Sequence, residues 1–183
     1  MRKALEVNGL KENTVIVFAS DQGGAFRNGQ LRGGKLGGFT LGEGGSRVPF
    51  IVYAPGMEAM GSTYGEPVQL IDVFPTLVEL ASGRRCRDAQ VNGVSLVPTL
   101  KGKRLKERNL FMHRSYEDQN SAVIRGDWKL IRYRSGKVEL FNLKVDEGES
   151  SNVAERFPER TRKLLRILEK WQREATPGYL LPD

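Results

Sequence analysis

The stretch from Thr14 to Pro49 constrains this chain more than any other. Ten of the 21 glycines fall between Gly23 and Gly45, a density at which neither a regular helix nor a regular strand holds, because every glycine adds backbone freedom that folding must remove. The segment is therefore a loop whose backbone path is shaped for something. It follows a short β-branched and aromatic run, Val15-Ile16-Val17-Phe18, which stops at Ser20-Asp21-Gln22-Gly23-Gly24. That is the profile of a buried strand with polar side chains at its carboxyl end, the end at which ligands of open α/β sheets bind. Lys35, Glu43 and Arg47 are set into the loop. An acid at a strand end, followed by a glycine loop carrying basic residues, points to an anion site beside a metal.

The rest of the chain places this loop in a fold. Residues 2–10 read as a helix closed by Asn8-Gly9 in the manner of a C-cap. Val48 to Ala54 is a second apolar run of strand length, with Pro49 at its first position or at an edge. From Val68 to Leu80 apolar residues recur at helical spacing, with Gly83 just past the end and Pro75 forcing a kink or a late start near Asp72. Val91 to Leu100 reads as loop and turn, and the basic connector Lys101 to Arg108 as a boundary. Beyond it the period becomes strand-like. Leu110–His113, Ser121–Arg125, Trp128–Arg134 and Lys137–Leu143 are four short runs, with Gly126-Asp127 and Ser135-Gly136 as hairpin signals. Arg156 to Glu174 is an amphipathic helix with Leu164, Leu165, Ile167, Leu168 and Trp171 as its stripe and Pro158 in its first turn. A small antiparallel sheet with that helix laid on it buries the stripe.

Composition excludes some functions. The formal net charge is +7, but the basic residues are scattered, acids interleave them in the later segments, and no RNP, zinc-finger or helix-turn-helix spacing is present, which argues against nucleic acid as a partner. No apolar run approaches the ~20 residues that span a membrane, and the first residues carry charges throughout, without the apolar core of a signal peptide. The single cysteine, Cys86, excludes a disulfide framework and a thiolate zinc site. It reads as a loop residue in a basic connector.

With these landmarks in place, the chain resembles the carboxyl-terminal part of sulfatases, the formylglycine-dependent sulfuric ester hydrolases of the alkaline-phosphatase-like superfamily. Four stretches carry the resemblance. Asn13 to Gly23 is similar to the family's strand ending in Ser-Asp-Asn-Gly or Ser-Asp-His-Gly. Lys35 to Phe50, with Glu43-Gly44-Gly45-Ser46-Arg47-Val48-Pro49, is similar to its lysine loop and the following Glu-Gly-Gly-Arg-Val-Pro pattern. Ala122 to Leu130, containing Gly126-Asp127-Trp128-Lys129-Leu130, and Glu139-Leu140-Phe141-Asn142-Leu143 through Asp146-Glu147-Gly148-Glu149, are similar to its carboxyl-terminal subdomain. The implied fold is α/β: a partial alkaline-phosphatase-like α/β sheet followed by a small antiparallel sheet packed with a C-terminal helix. The implied division is 1–105 as the C-terminal portion of the catalytic domain and 106–183 as the subdomain.

The resemblance also implies roles. Asp21 is expected to ligate a divalent cation, calcium in most relatives, with Gln22 standing where Asn is usual. Its amide oxygen is a hard ligand, but the longer stem displaces it. Lys35 is expected to contact the sulfate, where a positive charge stabilises oxygen charge in the transition state. Arg47 fits a structural ion pair, with Glu43 as the expected partner. The family's nucleophile is a cysteine in a Cys-x-Pro/Ala-x-Arg motif, converted to formylglycine, and Cys86 followed by Arg87-Asp88-Ala89-Gln90 does not match it. The family's paired amino-terminal aspartates, second sulfate-site lysine and histidines also have no match, and the single histidine, His113, reads as structural. Half of an active site is therefore expected, inactive alone, on a sulfated small molecule or sulfated polysaccharide. A parallel sheet missing its first strands would expose an apolar edge, so association with the missing amino-terminal half or with a second copy is expected. A phosphatase or phosphodiesterase segment of the same superfamily, or a non-catalytic module binding acidic polysaccharide, is the alternative.

Overall fold

The computed structural model describes residues 1–26, 28–36, 39–57, 61–115 and 118–175. Gly37 and Gly38 of the glycine stretch lie outside the described residues. In chain order the elements are α1 (Arg2–Val7), β1 (Ile16–Ala19), α2 (Glu43–Ser46), β2 (Phe50–Tyr53), α3 (Val73–Ser82), α4 (Val97–Leu100), β3 (Asn109–His113), β4 (Gln119–Arg125), β5 (Trp128–Tyr133), β6 (Val138–Asn142) and α5 (Pro158–Ala175). The chain folds into two compact units, Met1–Ala19 with Pro49–Lys106, and Ser20–Val48 with Glu107–Asp183. The glycine loop thus belongs to the unit of the C-terminal sheet, while the strands on either side of it belong to the other.

In the first unit α1 ends at Asn8 and Gly9 takes a φ of +66°, as the Asn-Gly signal predicts. β1 and β2 pair antiparallel, from Ile16 opposite Tyr53 to Ala19 opposite Phe50. This corrects the expected parallel strand: among its described residues the connection between them holds only the four-residue α2 and no crossover helix of the kind a parallel pair needs, so the chain reverses. Nor is β1 buried on both faces. Val15, Val17, Phe50 and Val52 converge with Val73, Thr76, Leu77 and Leu96 around one apolar space, whereas Phe18 and its partner Ile51 are 60% and 61% exposed. The late helix start occurs as expected. A 3-10 turn spans Leu70–Asp72, α3 follows with Pro75 in its first turn, and Gly83 closes it in the left-handed conformation. Asp72 is fully buried, and its carboxylate accepts the backbone N–H groups of Gln69 at 2.8 Å and Val94 at 2.9 Å, which fixes the turn that aims α3.

The second unit is an antiparallel sheet in the order β3-β4-β5-β6. Gly126, at φ +55°, sits at the first central position of the two-residue hairpin between Arg125 and Trp128, where only glycine is at ease. The next hairpin is one residue longer than the sequence suggests. Tyr133 N–H donates to the Lys137 carbonyl, and residues 134–136 form the loop with Gly136 at φ +84°.

Alternation along these strands sorts side chains to two faces. On one face Val123, Leu130 and Leu140 meet Leu164 and Leu168 of α5, with Phe111, Trp128 and Trp171 around them. Phe111 and Trp171 stack at 4.7 Å. On the other face Ala122, Ile131, Tyr133 and Phe141 meet Leu41 of the glycine loop. Helix covers one side of the sheet and glycine loop the other, so both faces are buried.

Candidate functional site

The site is built by the glycine loop. After Ser20 the chain makes a tight bend in which the Ser20 hydroxyl donates to the Gln22 carbonyl at 2.7 Å. Gly23 N–H then donates to Gly45 O at 2.9 Å, Gly44 N–H to Arg32 O at 2.8 Å and Lys35 N–H to Gly24 O at 3.0 Å. The loop is pinned to itself at three crossings. Asn28 ties the crossings together: its side-chain oxygen accepts the Gly24 N–H, and its amide donates to the carbonyls of Gly24, Phe26 and Gly33. Glycine is required where strands of the loop touch. A Cβ on Gly23 would lie 1.8 Å from the Gly44 carbonyl oxygen, and one on Gly44 would lie 2.3 Å from that of Gly33.

This backbone brings together two of the residues singled out from sequence. The Lys35 ammonium lies 3.6 Å from the Asp21 carboxylate, with the two side chains 48% and 79% exposed. Gln22 follows Asp21 in the bend and is half-buried. A cation and an anion, both open to solvent and neither tied up by burial, form a pair that can be separated by a ligand of either sign.

Two buried polar clusters hold the loop on the sheet, and sequence reasoning found neither. Arg32 donates to Glu139 at 2.7 Å and to the Tyr133 hydroxyl at 2.9 Å; that hydroxyl donates to Glu139 at 2.7 Å, and Lys137 pairs with the same carboxylate at 2.8 Å. Burial alone would push the Glu139 carboxyl up, but the hydrogen bonds from Arg32, Lys137 and Tyr133 outweigh it and hold the carboxyl below the usual glutamate range. Gln119, fully buried, donates to the Tyr133 hydroxyl at 3.0 Å and accepts the Leu41 N–H at 3.2 Å. In the second cluster Lys129, with no exposed side-chain surface, lies 2.8 Å from Glu43 and 3.0 Å from Glu149. Glu43 is therefore not the partner of Arg47, which pairs with Glu147 at the surface. The reason is direction: Glu43, in the first turn of α2, turns inward to the sheet, while Arg47 just past its end is exposed. Lys129 and Glu43 stand 86 residues apart and Glu43 and Glu149 stand 106 apart, so no local pattern encodes these ties. The one available signal was a lysine on the inward register of a strand that also carries Ile131 and Tyr133.

A divalent cation can be tested against these residues. Calcium takes 6–8 oxygen ligands. Asp21 is largely exposed, and among the described residues no group of three or more His, Cys, Asp and Glu side chains stands close enough to hold a metal ion. The described residues of this chain do not by themselves fit calcium. Cys86 is half-buried in the first unit. His113 Nδ1 lies 2.9 Å from the Ser121 hydroxyl, to which Gln172 donates at 2.6 Å. Ser121 is fully buried, so this trio is a structural tie between sheet and helix.

The family model described as Sulfatase matches residues 1–83. Arylsulfatase D of Homo sapiens is 41% identical over 121 residues, covering 60% of this chain and 20% of that protein. Arylsulfatase K of Danio rerio is 30% identical over 179 residues, covering 90% of this chain and 32% of that protein. The chain resembles a segment of the sulfatases. A solved structure described as Ps i-CgsB in complex with k-i-k-neocarrahexaose superimposes with a TM-score of 0.78 at 26% identity, covering 98% of this chain and 41% of that chain. The chain thus spans about a fifth to a third of the two curated sulfatases and two fifths of the structural neighbour. The likeness to Arylsulfatase K covers 90% of the chain and so reaches the four-stranded sheet that lies beyond the family-model match. No helix among the described residues is long and apolar enough to cross a membrane.

Proposed function

We propose that this chain carries part of the cation and sulfate site of a sulfuric ester hydrolase, with Lys35 as the sulfate-contacting cation and Asp21 as a metal-ligating carboxylate. The observation that carries the reading is the 3.6 Å approach of the two side chains on a loop cross-pinned by its own backbone. Lys35 would set a positive charge against the sulfate oxygens, where its value rises as charge develops in the transition state. Asp21 would supply an oxygen to a divalent cation, calcium by family likeness, with the Gln22 amide oxygen beside it. A divalent cation there, completed by ligands from elsewhere, would add positive charge facing the sulfate group. The remaining ligands and the formylglycine nucleophile would come from outside the described residues. The sulfatase cysteine motif has no match in the 183 residues, so the chain alone is expected to be inactive. Residues 1–105 would correspond to the carboxyl-terminal portion of the catalytic domain and 106–183 to the subdomain.

The substrate class is a sulfated small molecule or a sulfated polysaccharide. The structural neighbour's complex with k-i-k-neocarrahexaose favours the polysaccharide. The exposed cross-strand pair Phe18 and Ile51 is the surface through which association with the rest of such a fold, or with a second copy, would proceed. The test is turnover of an aryl sulfate by the isolated chain with and without calcium. No turnover in either condition is expected, and clear calcium-dependent turnover would refute the partial-site reading.

A further inference from the structure

Lys129 belongs to a Gly-Asp-Trp-Lys-Leu stretch that the proposed chemistry leaves without a role. Its strand, β5, sends Lys129, Ile131 and Tyr133 to the face covered by the glycine loop. There the ammonium is fully buried, 2.8 Å from Glu43, 3.0 Å from Glu149 and 3.3 Å from the Ser46 hydroxyl. Glu149 also accepts the Glu43 backbone N–H at 2.7 Å, so one carboxylate grips both the side-chain lysine and the main chain of α2. The geometry of Glu149 is unusual. It is the one non-glycine residue among those described with a positive φ, at 52°, a conformation that strains a glutamate. Glycine would sit there without strain, so what the glutamate adds is its carboxyl group.

We infer that Lys129, Glu43 and Glu149 form a positioning device that docks α2 onto β5 and thereby sets the backbone that carries Lys35. The path is short and continuous. α2 holds Gly44, whose N–H donates to Arg32 O, and Gly45, whose O accepts from Gly23 N–H in the bend that carries Asp21. Moving α2 off the sheet would release both crossings and, with them, the approach of Lys35 to Asp21. A hydrophobic trio of the same volume would pack as well or better. What the polar groups add is a directional fixture, in which two carboxyl groups meet one ammonium from α2 and from the turn after β6.

The inference rests on the reading of Lys35 as the anion-contacting residue, so the test has one arm that depends on that reading and one that does not. The independent arm is hydrogen exchange at the Gly44, Gly45 and Arg47 amides, referenced to intrinsic rates and compared with β4 and β5. In Lys129→Met these amides should lose protection by at least about tenfold more than the strands. Equal loss in loop and strands would reduce Lys129 to a general core residue and overturn the inference. The dependent arm is titration with inorganic sulfate followed at the Lys35 ammonium, which should weaken about fivefold or more in Lys129→Met. If the loop loosens but sulfate never perturbs Lys35 even in the parent, the docking device stands and the functional reading fails.

Should Lys129→Met not fold, Glu149→Gln decides the matter. It keeps one carboxylate for one ammonium. The charged groups facing Glu149 are Lys129 from β5 and Glu43 from α2, so ionising Glu149 puts a second negative charge against a single positive one. Loop protection in the parent should therefore fall as pH climbs through the raised Glu149 value and should stay level in Glu149→Gln. The same slope in both proteins would overturn the inference.

Discussion

At the scale of single residues, the Lys35 and Asp21 pair contributes little to stability. Its members are 48% and 79% exposed, and such pairs are worth within about 1 kcal/mol. Lys35→Ala and Asp21→Asn should accordingly leave the melting temperature within a few degrees of the parent. A large drop in stability from either change would mean that the pair is a structural tie. The buried carboxylates behave differently, and with opposite signs. Glu139 is held below the usual glutamate range, burial working against the bonds from Arg32, Lys137 and Tyr133. Its contribution is therefore present above the ordinary glutamate value and is lost as pH falls through the depressed one. Burial raises the Glu149 carboxyl, and the attraction of Lys129 offsets this only in part. Its contribution is present below the ordinary value and is lost as pH climbs through the raised one. Melts across pH should show Glu139→Gln flattening the acid limb and Glu149→Gln flattening the limb above it. Slopes unchanged by either substitution would contradict the assignment.

At the scale of elements, the backbone crossings of the glycine loop leave no room for a side chain, and the consequence is measurable. Gly44→Ala drives a methyl to 2.3 Å from the Gly33 carbonyl oxygen, an overlap that only backbone movement relieves, so a loss of about 1–3 kcal/mol is expected in chemical denaturation. Gly65→Ala meets nothing within 4 Å and needs no positive φ, and should be neutral or slightly stabilising. In α5, Leu168→Ala removes a fully buried side chain from the helix-facing cluster and should cost about 2–5 kcal/mol. The elements were legible in sequence wherever period and turn chemistry agree. Gly126 and Gly136 mark their hairpins, and the stripe Leu164, Leu168 and Trp171 marks α5. Pairing direction was not legible in β1, since an apolar run does not say whether its partner returns by a loop or a helix. Nor was the inward turn of Glu43, because its partner Lys129 lies 86 residues away and only the completed sheet brings them together.

At the scale of the whole molecule, a chain that spans a fifth to a third of the curated sulfatases it was compared with nevertheless folds its glycine loop onto a sheet of its own unit. The local geometry of Asp21 and Lys35 therefore depends on residues from 107 onward as much as on the loop itself. Sequence disclosed the sulfatase likeness and the two side chains that meet, but the polar clusters that hold their loop became visible only with the fold. The account stands on the claim that Lys35 and Asp21 address one tetrahedral anion and one cation. The most direct measurement is the side-chain nitrogen resonance of Lys35 during titration with inorganic sulfate, with Asp21→Asn alongside. The account predicts a saturable shift at Lys35 that exceeds those of surface lysines such as Lys101 and changes in affinity in Asp21→Asn. A shift no larger than at Lys101, and indifferent to Asp21, would contradict it.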